Sequence, residues 1–118
     1  MPFQKGDVVS LQFEMPDTGA FKEHPAIIIS CPEVHQHDSC YVCVMMTSNG
    51  ASDRFTFRLT DEMLAYPNNR QDSQVRCHMI TYVRERDIHS QSGRPFNKLQ
   101  PLHMDRLLEY INMVVFDN

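Results

Sequence analysis

Apolar residues occur in this chain only as short runs and alternating stretches, and that pattern restricts the fold more than any other feature. The near-continuous runs are Ala26 to Ile29, Tyr41 to Met46 and Met113 to Phe116. A bilayer-spanning helix needs about 20 such residues, so no transmembrane segment is expected. Two further stretches alternate. In Asp7 to Phe13, Val9, Leu11 and Phe13 share one side, with Val8, Ser10 and Gln12 on the other. In Arg54 to Leu59, Phe55, Phe57 and Leu59 point inward, and Arg54, Thr56 and Arg58 outward. A period of two marks a half-buried strand, and a short unbroken apolar run marks one buried on both sides. Loops separate them: residues 14–23, with Pro16, Asp17 and Gly19 as turn formers, and a turn over 48–53. Five strands are predicted, at 7–13, 25–30, 41–47, 54–59 and 74–83.

Helices play a smaller part. Thr60 is placed to cap a short helix over 61–65. Pro101 suits a first helical position. Met104, Leu107, Leu108, Ile111 and Val115 then form a helical stripe. The expected fold is mainly β with helices (α+β): a small, strongly bent antiparallel sheet or barrel with a C-terminal packing helix. At 118 residues this is one domain, residues 1–118. Hydrophobic residues at 42% and charged ones at 22% fit a soluble globular chain. The polar, acidic first 23 residues hold no signal-peptide core, so a cytoplasmic location is expected.

The net charge of −4 argues against a sequence-independent grip on nucleic acid. The charge is unevenly spread, however. Residues 1–53 carry two cations against seven acids, whereas residues 54–98 carry eight cations, seven of them Arg, against five acids. Arg is the cation suited to bidentate phosphate contact.

Cys31, Cys40, Cys43 and Cys77 are expected to be reduced thiols in such a compartment. Cys31, His35, His37, Cys40 and Cys43 suggest a zinc site, but Cys40 and Cys43 lie three apart in a predicted strand and face opposite sides. Buried apolar cysteines beside a solvated histidine loop are the expectation, with no metal and no other cofactor.

The fifth strand carries an unexpected polar side. Strict alternation puts Val75, Cys77, Met79, Thr81 and Val83 on one face and Arg76, His78, Ile80 and Tyr82 on the other. An Arg beside a His on a rigid strand can hold a phosphate and exchange a proton near neutral pH. His24 stands before Pro25 at the head of the second strand, and Thr47 and Ser48 end the third.

Taken in order, these segments resemble the MazF/PemK/Kid family of bacterial toxins. Lys5-Gly6-Asp7-Val8-Val9 is similar to that family's opening strand, and His24-Pro25-Ala26-Ile27-Ile28-Ile29-Ser30 to its R-P strand. Val44-Met45-Met46-Thr47-Ser48 resembles the strand ending in its T-S pair. Ser73-Gln74-Val75-Arg76-Cys77-His78-Met79-Ile80-Thr81 resembles a later strand, with Val-Arg-Cys as in the Kid-like branch. The resemblance covers roughly residues 4–88 and 100–116.

It implies an SH3-like antiparallel barrel, a homodimer, and metal-independent, sequence-selective cleavage of single-stranded RNA. It also implies neutralisation by an antitoxin protein. Thr47 and Ser48 match the site hydroxyls, Arg76 the catalytic Arg, and the 14–23 loop the mobile loop beside the RNA groove. Two positions depart: the family's strand-entry Arg is His24, and its acidic base is His78. RNA cleavage by 2′-OH attack needs a base, an acid and a cation, which two histidines and an Arg supply. The expected catalytic set is therefore His24, Thr47, Arg76 and His78. Ser48, Arg54, Arg58 and Tyr82 are expected to bind RNA, with Phe21 a further candidate for base stacking. The competing expectations are a non-catalytic RNA- or protein-binding module on the same fold and, third, the zinc module.

Overall fold

The computed structural model describes residues 3–48, 52–68, 72–90 and 92–117. Arg70 and part of the turn expected over 48–53 lie outside the described residues. The chain forms β1 (Asp7–Glu14), β2 (Phe21–Ile28), α1 (Pro32–Asp38), β3 (Cys40–Thr47), β4 (Thr56–Arg58), β5 (Gln74–Arg84), β6 (Asn97–Lys98) and α2 (Pro101–Ile111). Single 3₁₀ turns occupy Asp61–Met63 and Glu85–Asp87, and a π-helical turn, Asn112–Phe116, extends α2.

The six strands make one antiparallel sheet in the order β4-β5-β3-β2-β1-β6. The sheet is not a closed barrel. Its end strands do not pair with each other, but Leu64, after β4, bridges Leu99, after β6, so the sheet curls until its ends nearly meet. The apolar runs at 26–29 and 41–46 have the predicted reason, since the central strands are buried on both sides there, whereas Met113 to Phe116 lies in the π-helical turn with Met113 and Phe116 exposed. Val8, Ile27, Val44, Met46, Val75 and Cys77 form one core with Met104, Leu107 and Ile111 of α2. Val9, Leu11, Ala26, Ile28, Cys43 and Met45 form a second core with Val83 and Ile88.

Several expectations shift. Residue 21 already pairs with Glu14, so β2 starts four residues early and the loop shrinks from 14–23 to 15–20, turned at Gly19 (φ +73°). The segment expected as a histidine loop is a helix: Pro32 opens α1 and Ser39 ends it in the left-handed conformation (φ 54°). That helix has no buried residue, so it leaves no apolar stripe to read. Thr60 makes no side-chain cap, and the short helix over 61–65 is one 3₁₀ turn. The two-residue β6 was too short to show any period.

The largest change is in β5. Met45 of β3 lies opposite four residues of β5, because Val44 pairs with Ile80 and Met46 with Val75. The bulge breaks the alternation. Val75, Cys77 and Ile80 face the first core, whereas Met79 and Val83 face the second. Bulges re-aim side chains, and this one sits next to Arg76 and His78.

Candidate functional site

Arg76 lies opposite Thr56 in the β4–β5 pair. Its Nη1 donates to Asp53 Oδ1 and to Thr56 Oγ1, and its Nη2 to Asp53 Oδ2, all at 3.0 Å. The Asp53 carboxylate is itself tied down, because its Oδ1 accepts from the Phe55 amide at 2.9 Å. Hydrogen bonds from Arg76, and then from that amide, hold the Asp53 carboxyl down at about 2. Asp53 is the participant that sequence reasoning missed. The available signal was an Asp three residues ahead of a strand, where it can close a turn on its own backbone.

His78 packs its ring against Phe55, with centroids 4.7 Å apart. Burial pushes the His78 pKa down, the Arg76 cation pushes the same way, and the Asp53 carboxylate opposes both. The first two effects favour the uncharged imidazole. Arg76, His78 and Asp53 form one electrostatic unit, built by the bulge and the 53–56 turn.

One groove reaches this unit at His78, a second is lined by other residues, and Arg76, Arg54 and Arg58 line neither. The first, about 1010 Å³, runs from the β1–β2 hairpin to β5 and includes Phe21, His78, Thr81, Tyr82, Arg84 and Arg86. Phe21 and Tyr82 are 65% and 72% exposed on its rim. The second, about 390 Å³, brings together His24, Thr47, Ser48, Asn68, Ser73 and Phe96. His24, expected at the head of its strand but lying inside β2, thus shares a groove with the hydroxyl pair, and His78 lines the other. The His24 ring stands edge-on to Phe13, a residue of the first groove, at 6.4 Å.

The expected basic face is partly neutralised. Asp53 compensates Arg76, and Asp87 pairs with Arg84 at 2.8 Å. Among the described residues, Arg54, Arg58 and Arg86 have no ion pair. Arg54 lies over the Phe55 ring at 5.4 Å, and its carbonyl accepts from the Tyr110 hydroxyl at 2.7 Å, tying this corner to α2. Arg58 projects from β4, exposed, opposite Gln74.

No group of three or more candidate ligands converges on a metal position among the described residues. Cys43 sits in the second core with its thiol pushed up to about 12 by burial, and Cys31 is exposed. His35 stacks on Tyr41 at 4.9 Å and pairs with Glu85 at 3.3 Å. No helix among the described residues is long and apolar enough to cross a membrane.

Comparison with solved structures finds the same architecture. A Mycobacterial endoribonuclease in complex with its cognate antitoxin aligns over 97% of this chain and 95% of its own, with a TM-score of 0.70 at 14% identity. The MazE–MazF complex of Deinococcus radiodurans aligns over 96% and 95%, with a TM-score of 0.68 at 13% identity. MazF from the same organism, in another crystal form, gives 98%, 97% and 0.68 at 12% identity. At such identities the likeness is one of fold. No curated protein matches by sequence. A family model does match, across residues 4–115, and it covers the curled sheet, both grooves and α2. The chain belongs to the family of PemK-like, MazF-like toxins of type II toxin–antitoxin systems.

Proposed function

We propose that this chain is an endoribonuclease toxin that cuts single-stranded RNA without a metal and is neutralised by a cognate antitoxin. The observation that carries the reading is Arg76 and His78 two apart on β5, with His78 lining a groove that has exposed aromatic rims. A neutral imidazole can take the proton of a ribose 2′-hydroxyl. That oxygen attacks phosphorus, the bond to the 5′-oxygen breaks, and a 2′,3′-cyclic phosphate and a 5′-hydroxyl result. Arg76 stabilises the charge that develops on the phosphoryl oxygens. Phe21 and Tyr82 offer faces for base stacking. Thr47 and Ser48 hold the RNA backbone in the second groove, with Arg54 and Arg58 adding positive charge. His24 lines the second groove beside Thr47 and Ser48, where it contacts the RNA backbone, and the leaving 5′-oxygen takes its proton from solvent water. The antitoxin partner is supported by the two complexes aligned above. A homodimer is part of the same reading, since two copies lengthen the groove available to RNA.

The test is incubation of purified protein with mixed-sequence RNA in a chelator, with 5′ ends mapped. Sequence-consistent new ends are expected, lost in His78→Ala and Arg76→Gln and suppressed by the antitoxin. Intact RNA with the parent protein refutes the proposal. One observation favours a second reading, a binding module without catalysis: the two histidines line separate grooves. Salt-dependent RNA binding without new ends would select it.

A further inference from the structure

A guanidinium presents five N–H donors in a rigid planar fork. In Arg76 three of them are occupied. Asp53 takes the end of the fork, one carboxylate oxygen on each Nη at 3.0 Å, and Thr56 takes the outer Nη1 hydrogen at 3.0 Å. The remaining edge, Nε–H with the outer Nη2–H, has no acceptor among the described residues, although the side chain is only 15% exposed. Those two parallel donors match two oxygens of one phosphate. The clamp is itself braced: Asp53 accepts from the Phe55 amide at 2.9 Å, and the Asp53 amide donates to Thr56 Oγ1 at 3.3 Å.

We infer that Asp53 is a positioning residue: with Thr56 it fixes the guanidinium of Arg76 so that the free Nε–Nη2 edge meets a phosphodiester beside His78. Asp53 is a poor ligand for RNA in its own right, because its carboxylate repels phosphate. Its effect on the reaction runs through Arg76. The inference rests on the ribonuclease reading, and it separates two effects that usually move together. Removal of the carboxylate relieves repulsion, which favours binding. It also frees the fork to rotate, which disfavours the transition state, and a misplacement of about 1 Å costs up to 100-fold in rate.

The experiment uses the full chain with Asp53→Ala and Asp53→Glu. On RNA, Asp53→Ala is expected to lower kcat by about 10- to 100-fold with KM unchanged or reduced. Asp53→Glu, which keeps the carboxylate, recovers part of the loss. Asp53→Ala is expected to lower the melting temperature, because Arg76 is only 15% exposed and loses its partner, so kcat is compared at a temperature where circular dichroism shows both proteins folded. The second readout needs no cleavage: the Arg76 Nε–H resonance is followed by NMR during titration with a mixed-sequence deoxyoligonucleotide, which has no 2′-hydroxyl. The resonance shifts in the parent and loses that response in Asp53→Ala. Parental kcat in Asp53→Ala, or an Arg76 Nε–H that the oligonucleotide leaves unmoved in the parent, overturns the inference. A parent that responds by NMR but leaves RNA intact refutes the nuclease reading and leaves the positioning of Arg76 standing.

Discussion

Replacing Gln74 by Met should stabilise this protein. Gln74 is fully buried (0% exposed), and neither end of its amide finds a partner among the described residues. Its backbone pairs with Thr47 on one side and Arg58 on the other, so those ladders are untouched by the substitution. A buried amide without hydrogen bonds costs about 1–3 kcal/mol, and Met fills nearly the same volume without that penalty. The expected gain is therefore about 1–3 kcal/mol. For a chain of this size each kcal/mol moves the melting temperature by roughly 3–5 °C, a rise of about 3–15 °C in all. Thermal and urea unfolding followed by circular dichroism measure it, with Gln74→Glu as the opposite control, since a buried carboxylate should lower both midpoints. A Gln74→Met midpoint equal to or below that of the parent would show that the amide does have a partner, and the reasoning would fail. If stability rises while RNA cleavage falls, the unpaired amide is retained for the site and not for the fold.

Three further outcomes are expected. Leu107→Ala, at a fully buried position where α2 meets the first core, should cost about 2–5 kcal/mol in urea unfolding. A loss below 1 kcal/mol would mean that α2 is not packed as described. His78 is held below its ordinary value, by burial first and by Arg76 second, so the unfolded chain takes up its proton first. The stability from this group is full above about pH 6.5 and is lost as the pH falls through the folded value, so unfolding of His78→Gln between pH 5 and 8 should show a flatter acid limb than the parent. Identical slopes would refute it. Burial pushes the thiols of Cys43 and Cys77 up to about 12 and about 11, so a thiol reagent at pH 8 should modify exposed Cys31 quickly and those two only on unfolding.

What the amino-acid sequence revealed follows from the length over which each pattern runs. β1 and β3 are eight residues each and lie near their predicted limits, because one full period of burial repeats several times within them. The α2 stripe was legible for the same reason: Met104, Leu107 and Ile111 are all buried. Short or irregular pieces were not. The β5 alternation was correct as far as Cys77 and failed at the bulge, since a bulge is set by the partner strand and leaves no local mark. The candidate residues were chosen by type, and their grouping in space was not legible. Arg76 and His78 share a strand, and adjacency in sequence was enough to join them. His24 and Thr47 come together only through the pairing of distant strands, and Asp53 reaches Arg76 from 23 positions away.

The strand order has a consequence for how this molecule meets others of its kind. The two outermost strands, where backbone groups are left unpaired, are the shortest in the sheet: three residues in β4 and two in β6. The apolar β3 and the apolar end of β2, residues 26–28, have strand neighbours on both sides. An exposed long edge is a template for adding a strand from another chain, the usual start of amyloid-like stacking. By keeping its stickiest segments central and trimming both borders, the sheet can be crowded at high concentration without growing sideways. Association is thereby left to side-chain surfaces such as the aromatic rims of the first groove.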